Sequence, residues 1–234
     1  MQPELQPIRT GSPLPARDYA VQQNRVLRNT YLLLALSLIP TAIGAVIGTN
    51  LDLSFMARNQ VLSAFVLLAV FYGWIFAIER NRNSSLGVGL LLGFTLFMGV
   101  LLGPLFQFVL GFKNGVQLVM MATGGTAAVF FGLAGLAAST QRDFSYLAKF
   151  LFVGFIVIML AVVANVFFQS PVVYLALLGM FILFSSAAIL FQINSIVRGG
   201  ETNYVSATLT LYVAIYNIFS SLLQILGLFG GSRD

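Results

Sequence analysis

Apolar residues in this chain fall into long unbroken runs, not into the alternation of a half-buried strand or the single stripe of a surface helix. Seven runs stand out, at 31–48, 60–78, 86–110, 116–138, 148–168, 172–192 and 205–229. Each is about as long as a helix that crosses the hydrocarbon core of a bilayer. Short polar segments divide them: LDLSFMARN, ERNRNSS, GFKNG, STQRDFS, QSP and VRGGETN. The pattern predicts an all-α polytopic membrane protein of seven transmembrane helices. Residues 1–28 form a polar tail, broken early by Pro3, Pro7, Pro13 and Pro15, and residues 29–234 form the transmembrane domain. Within the tail, Arg17 to Asn29 (RDYAVQQNRVLRN) reads equally as a short helix or as a disordered leader. The first run follows a long polar leader without a compact basic start, so it is expected to be an uncleaved span.

Residue spacing within the runs suggests how they pack. Gly44 and Gly48, Gly89 and Gly93, and Gly99 and Gly103 are each four apart, as are Gly124, Ala128 and Gly132. Small residues at this spacing let helix backbones approach closely in lipid. Pro104 is expected to kink the third span. In the last run, Ser206, Thr210, Ala214, Asn217, Ser221 and Gln224 recur at intervals of three or four. They form one polar or small stripe, which predicts that the seventh helix is central, with the other six packed around it. Asn165 shares a face with Gly154, Ile158 and Ala161 and is expected to point inward too. The stripe has two readings: hydrogen bonds between helices, or the lining of a conduction path.

Composition supports the membrane assignment. The 234 residues are 59% hydrophobic and 8% charged, with a mean hydropathy of +0.93, against about 25% charged residues in a soluble domain. The net charge of +5 is spread through loops and forms no nucleic-acid footprint. Arg9, Arg17, Arg25, Arg28, Arg80, Arg82, Arg142, Lys149 and Arg198 fall on one side, and Arg58, Lys113 and Arg233 on the other. That asymmetry places the N-terminus in the cytoplasm and the C-terminus outside. Opposite charges in the cytoplasmic loops (Glu79, Arg80, Arg82, Arg142, Asp143, Lys149, Arg198 and Glu201) read as solvated loops or as an ion-pair layer closing the bundle.

The chain has no Cys and no His, which removes thiol chemistry, the Ser–His couple and the commonest metal ligand. Asp18, Asp52, Asp143 and Asp234 all fall in loops or tails, so no pair of carboxylates sits at membrane depth to share a proton. No catalytic residue, cofactor or metal site is expected, and the chain is not read as an enzyme.

Several segments carry a resemblance: VLRNTYLLLALSL, LGPLF at Leu102–Phe106, GGTAAVFF, VVANVFFQ, and AAILFQINSIVRGGETNYVSATLTLYVAIYNIFSSLLQILG. In this order they resemble the Bax inhibitor-1 (TMBIM) superfamily of seven-span proteins, and within it the YccA branch. The resemblance implies a bacterial inner-membrane protein that binds and restrains the membrane protease FtsH, itself associated with HflK and HflC. It also implies a six-around-one helix arrangement. Calcium-leak members of the superfamily carry a proton-sharing aspartate pair, one in an LYD-type motif and one in LYLD. Those motifs match Leu190-Phe191-Gln192 and Leu211-Tyr212-Val213-Ala214 here, so Gln192 and Ala214 stand in place of the carboxylates. An amide does not titrate near neutral pH, so a pH-gated calcium leak is not expected to carry over. Gln192 is instead expected to bond Asn217 or Tyr212 within the bundle. The alternative function is an ion channel or transporter of the same superfamily without the di-aspartate, its path running along Thr210, Asn217, Ser221 and Gln224.

Overall fold

The structure is a computed structural model. It describes residues 16–52, 58–140 and 142–232, with side chains from Val21 onward. Among the described residues eight helices follow one another: α1 (Ala16–Thr49), α2 (Gln60–Arg80), α3 (Ser85–Leu101), α4 (Gly103–Leu110), α5 (Gly115–Ser139), α6 (Tyr146–Phe168), α7 (Pro171–Val197) and α8 (Tyr204–Gly230). In hydrocarbon every backbone N–H and C=O must be bonded within the protein, and an apolar helix does this locally. Taking α3 and α4 as one broken span, seven helical segments are long and apolar enough to cross a membrane.

The segment boundaries follow local chemistry. Pro104 does more than kink the third span: the helix breaks at Leu102 and restarts with Pro104 in the first turn of α4, where proline's missing N–H is no loss. Ser170 caps α7 by accepting a bond from the Val173 N–H, with Pro171 behind it. Gly199, at φ 76°, turns the chain out of α7 in the left-handed region that glycine tolerates. The first helix runs unbroken from Ala16 through the expected boundary at 28/29, so the described part of the polar tail is helical. Residues 1–15 lie outside the described residues.

Packing centres on α8 and on the pair α1–α3. α8 touches α1, α2, α3, α4, α5 and α7. The fifth span, α6, is the exception: it packs on α7 and α2 and does not reach α8. The ring around the last helix is therefore formed by five spans, with α6 outside it. Leu91, Phe94, Ile189, Ile193, Leu211 and Ile218 form the fully buried centre of this packing.

Glycine sets the closest approach. A Cβ at Gly44 would run into the Leu96 carbonyl, one at Gly48 into that of Val100, and one at Gly99 into that of Thr41. A Cβ at Gly103 would strike the backbone of Gly48. These four residues let α1 and α3 meet backbone to backbone. The other glycines of the expected pairs behave differently. Gly89, Gly124 and Gly132 face open space, and Ala128 is exposed, so the small-residue stripe of α5 points out of the bundle.

This division predicts opposite signs for one kind of substitution. Gly44→Ala and Gly99→Ala should destabilise the solubilised protein by about 1–3 kcal/mol, the usual range for overpacking. Gly124→Ala should be neutral or stabilise by up to about 1 kcal/mol through helix propensity. Thermal unfolding of the three variants in detergent checks this; equal effects at all three sites would refute the packing assignment.

Candidate functional site

The polar chemistry of the molecule concentrates at the bundle end that carries the α2–α3, α5–α6 and α7–α8 loops. Asn203 is its hub. As the N-cap of α8, its side-chain oxygen accepts from the N–H groups of Val205 (2.9 Å) and Ser206 (3.2 Å), satisfying two donors that a helix start leaves unpaired. Its amide nitrogen donates to the Arg82 carbonyl (3.2 Å) and to Asn83 Oδ1 (2.7 Å). One side chain thus starts the last helix and ties it to the α2–α3 loop. Ser206 adds a second tie, donating to Glu79 Oε2 at 2.9 Å, while Glu79 also pairs with Arg82 at 3.3 Å. Glu201 accepts from the Asn203 backbone N–H at 2.8 Å.

The third loop is held in the same way. Asn194, buried near the end of α7, accepts from the Phe144 N–H and donates to the Arg142 carbonyl, both at 3.2 Å. Asp143 takes two bonds from Ser145, from its hydroxyl at 2.6 Å and its N–H at 2.8 Å. The hydroxyl bond, then the N–H bond, and after them the charge of Arg198, hold its carboxyl below the ordinary carboxylate range. Arg80, Arg82, Arg142 and Arg198 are exposed. The loop-to-loop closures described here are made by Asn203, Asn194 and the Ser206–Glu79 bond, and the Glu79–Arg82 ion pair lies within one turn.

The two positions that match the superfamily aspartates are both buried, Gln192 at 6% and Ala214 at 3% exposure. The expected bonds from Gln192 to Asn217 or Tyr212 do not form. Among the described residues the Gln192 amide nitrogen has no hydrogen-bond partner. The Tyr212 hydroxyl goes elsewhere, to Thr41 Oγ1 at 2.8 Å and the Thr95 carbonyl at 3.3 Å, which ties α8 to α1 and α3.

The polar stripe of α8 is only partly inward. Ser206, Ala214 and Ser221 are buried, Asn217 and Gln224 are half-buried, and Thr210 is exposed. Asn165 is half-buried, and its side-chain oxygen accepts from the Ser170 N–H at 3.0 Å, closing the α6–α7 turn. Among the described residues no group of three His, Cys, Asp or Glu side chains is placed to hold a metal ion.

Two substitutions separate these roles. Asn203→Ala should lower stability by about 1–2 kcal/mol, the cost of a lost N-cap, and Asn203→Asp, which keeps the cap, should lower it less. Gln192→Met should raise stability by about 1–3 kcal/mol by removing an unpaired buried donor. Thermal unfolding reads both, and a loss of stability in Gln192→Met would show that the amide has a partner.

Comparison with known proteins places this architecture. Residues 23–231 match the family described as "Inhibitor of apoptosis-promoting Bax1". An uncharacterised protein of Neisseria meningitidis serogroup A is 44% identical over 89% of this chain and 92% of its own length. Two Escherichia coli proteins are each 42% identical over 93% of this chain and 95% of their own length. That of strain K12 is named "Modulator of FtsH protease YccA", and that of strain O6:H1 "Inner membrane protein YccA". With the family match spanning nearly all of the described helices, the chain belongs to the Bax inhibitor-1 family.

Proposed function

We propose that this chain is a multi-pass protein of the bacterial inner membrane that binds the protease FtsH, alone or in its assembly with HflK and HflC, and restrains it. The similarity to the E. coli modulator over almost the whole chain carries this reading. In this reading the N-terminus lies in the cytoplasm and the C-terminus in the periplasm, which the excess of Lys and Arg in the loops on the N-terminal side supports. Gln192 and Ala214 offer no carboxylate at the superfamily's paired positions, so the reading includes no pH-gated cation leak.

The restraint works by slow unfolding. A membrane protease that pulls on an exposed cytoplasmic end needs a handle, and the N-terminal residues ahead of α1 supply it. Behind that handle stands a first span locked to α3 by glycine contacts and to α8 through Tyr212 and Thr41. A substrate that engages readily and unfolds slowly occupies the protease, and its lifetime there is set by a rate.

Cleavage of a membrane reporter by FtsH in proteoliposomes, with increasing amounts of this protein, tests the reading. Reporter cleavage should slow, and deletion of residues 2–15, which stops short of α1, should relieve the inhibition while leaving the bundle folded. Gly44→Ala, which loosens α1, should shorten the protein's own lifetime in the assay and weaken the inhibition. Unchanged reporter cleavage over a wide excess would remove FtsH as the partner. Inhibition that survives the deletion would remove the handle mechanism alone.

A further inference from the structure

A cleft of about 850 Å³ opens at the bundle end opposite the basic loops. It arises from the break in the third span. Beyond Leu102 the chain restarts as α4, which turns toward the end of α8, so that Phe108 and Val109 lie against Gly227. Among the described residues no packing contact joins α7 to α3 or α4. The space between them is floored by the second half of α8, from Tyr216 to Leu228.

The rim is built from specific contacts. Gln60, at the start of α2, lines the cleft and accepts a bond from Gln169 Nε2 at 3.1 Å. Gln169 sits at φ 48°, a left-handed conformation uncommon for a residue with a side chain. Its turn is fixed by Asn165, whose side chain holds the Ser170 N–H. An unfavourable backbone conformation thus clasps the α6–α7 turn to α2 beside the opening.

Among the described residues the lining contains no Asp, Glu, Lys or Arg. Three of its polar side chains, Tyr174, Gln224 and Ser220, are linked by bonds within the protein. Tyr174 donates to Gln224 Oε1, Gln224 donates to the Ser220 carbonyl at 2.9 Å, and Ser220 donates to the Asn217 carbonyl at 3.3 Å. Each of those three side chains commits a hydroxyl or amide hydrogen to a protein acceptor, and a lining without charge offers no counter-charge to an ion. Most of the remaining lining is apolar, Leu101, Leu102, Pro104, Leu105, Phe108 and Leu228, with Gln60 and Tyr216 beside it. Phe108, Tyr174 and Leu228 are also exposed, so the cleft opens sideways, at membrane depth.

Its length fits one kind of occupant. Tyr216 stands at the middle of α8, and the floor from there to Leu228 rises about 18 Å at the pitch of a helix. One leaflet of hydrocarbon is about 15 Å deep, half of the roughly 30 Å core. We propose that this cleft binds a single acyl chain of a membrane lipid, entered sideways from the leaflet opposite the basic loops. The site is independent of the protease reading, since none of its lining residues belongs to the loop network or to the N-terminal segment.

The test uses the full-length protein in proteoliposomes containing a phospholipid with a photoreactive acyl chain, and in a parallel arm a photoreactive free fatty acid. Labelling should concentrate on peptides that contain Leu105–Phe108 and Ser220–Leu228. It should fall several-fold in Ser220→Trp and in Leu105→Trp, which fill the cleft from its α8 floor and from α4. Labelling by either probe supports an acyl-chain site, and the arm that labels names the source. Labelling spread evenly over the exposed faces of α2 and α6, with no enrichment at the cleft, would overturn the proposal. A second readout does not depend on the tryptophan variants folding. The chain has no Cys, so Ser220→Cys adds one thiol. In membranes opened to reagent on both faces, that thiol should react with a lipid-soluble maleimide and resist a sulfonated, water-confined one. Rapid reaction with the water-confined reagent would show an aqueous cleft and refute the acyl-chain assignment.

Discussion

Lipid supplies no hydrophobic drive between helices, since acyl chains are as apolar as the side chains that face them. A bundle in that medium depends on how closely backbones fit, and here the closest fit is between α1 and α3. In that contact a Cβ at Gly44, Gly48, Gly99 or Gly103, the last of them at the start of α4, would strike the facing backbone. The remaining arrangement follows from it. α3 is fixed against α1, α8 is fixed to both through Tyr212 and its bonds to Thr41 and Thr95, and α5 and α7 complete the packing around α8. The helix break at Leu102 lies beside the last of these glycines, where the close contact ends and α4 is able to turn away.

Uncharged amides hold the two ends of the bundle. Asn203 and Asn194 tie the three loops of the basic end. At the opposite end Gln107 donates to the Thr49 carbonyl at 2.8 Å, and Asn114 donates to that of Gly230 at 2.7 Å while accepting from the Ser232 N–H at 3.0 Å. A carboxamide carries both donors and an acceptor, so one side chain can engage a neighbouring segment's N–H and C=O together. A carboxylate only accepts, and next to hydrocarbon it brings a desolvation penalty. A chain so poor in charge closes its loops with the polar group that needs no counter-ion.

Much of this was legible in the sequence because hydropathy reports directly on the medium. The expected spans at 60–78, 116–138 and 205–229 differ from the helices by at most two residues at either end. The sixth span was expected to stop at 192, yet α7 continues to Val197. The amides Gln192 and Asn194 look like a boundary to a hydropathy reading, whereas both are buried inside the helix. Residue period gives the direction of a side chain but not what lies there. Thr210 lies on the same arc of α8 as buried Ser206 and Ala214 and is exposed. Gly124, Ala128 and Gly132 repeat the four-residue spacing of Gly44 and Gly48, but the two glycines meet nothing. The clasp of Gln169 onto Gln60 joins residues 109 positions apart, and no local pattern announces it.

The glycine contact also has a mechanical consequence. A force applied through the N-terminal segment acts along the axis of α1, parallel to the surface it shares with α3. Under such a load the interlocked turns of the two helices must slide past one another together, so their resistances add. Pulling from a loop on the outer face of the bundle would instead peel a helix away one turn at a time. The same contacts therefore resist one direction of pull far more than another, and the strong direction is that of the chain's own N-terminus.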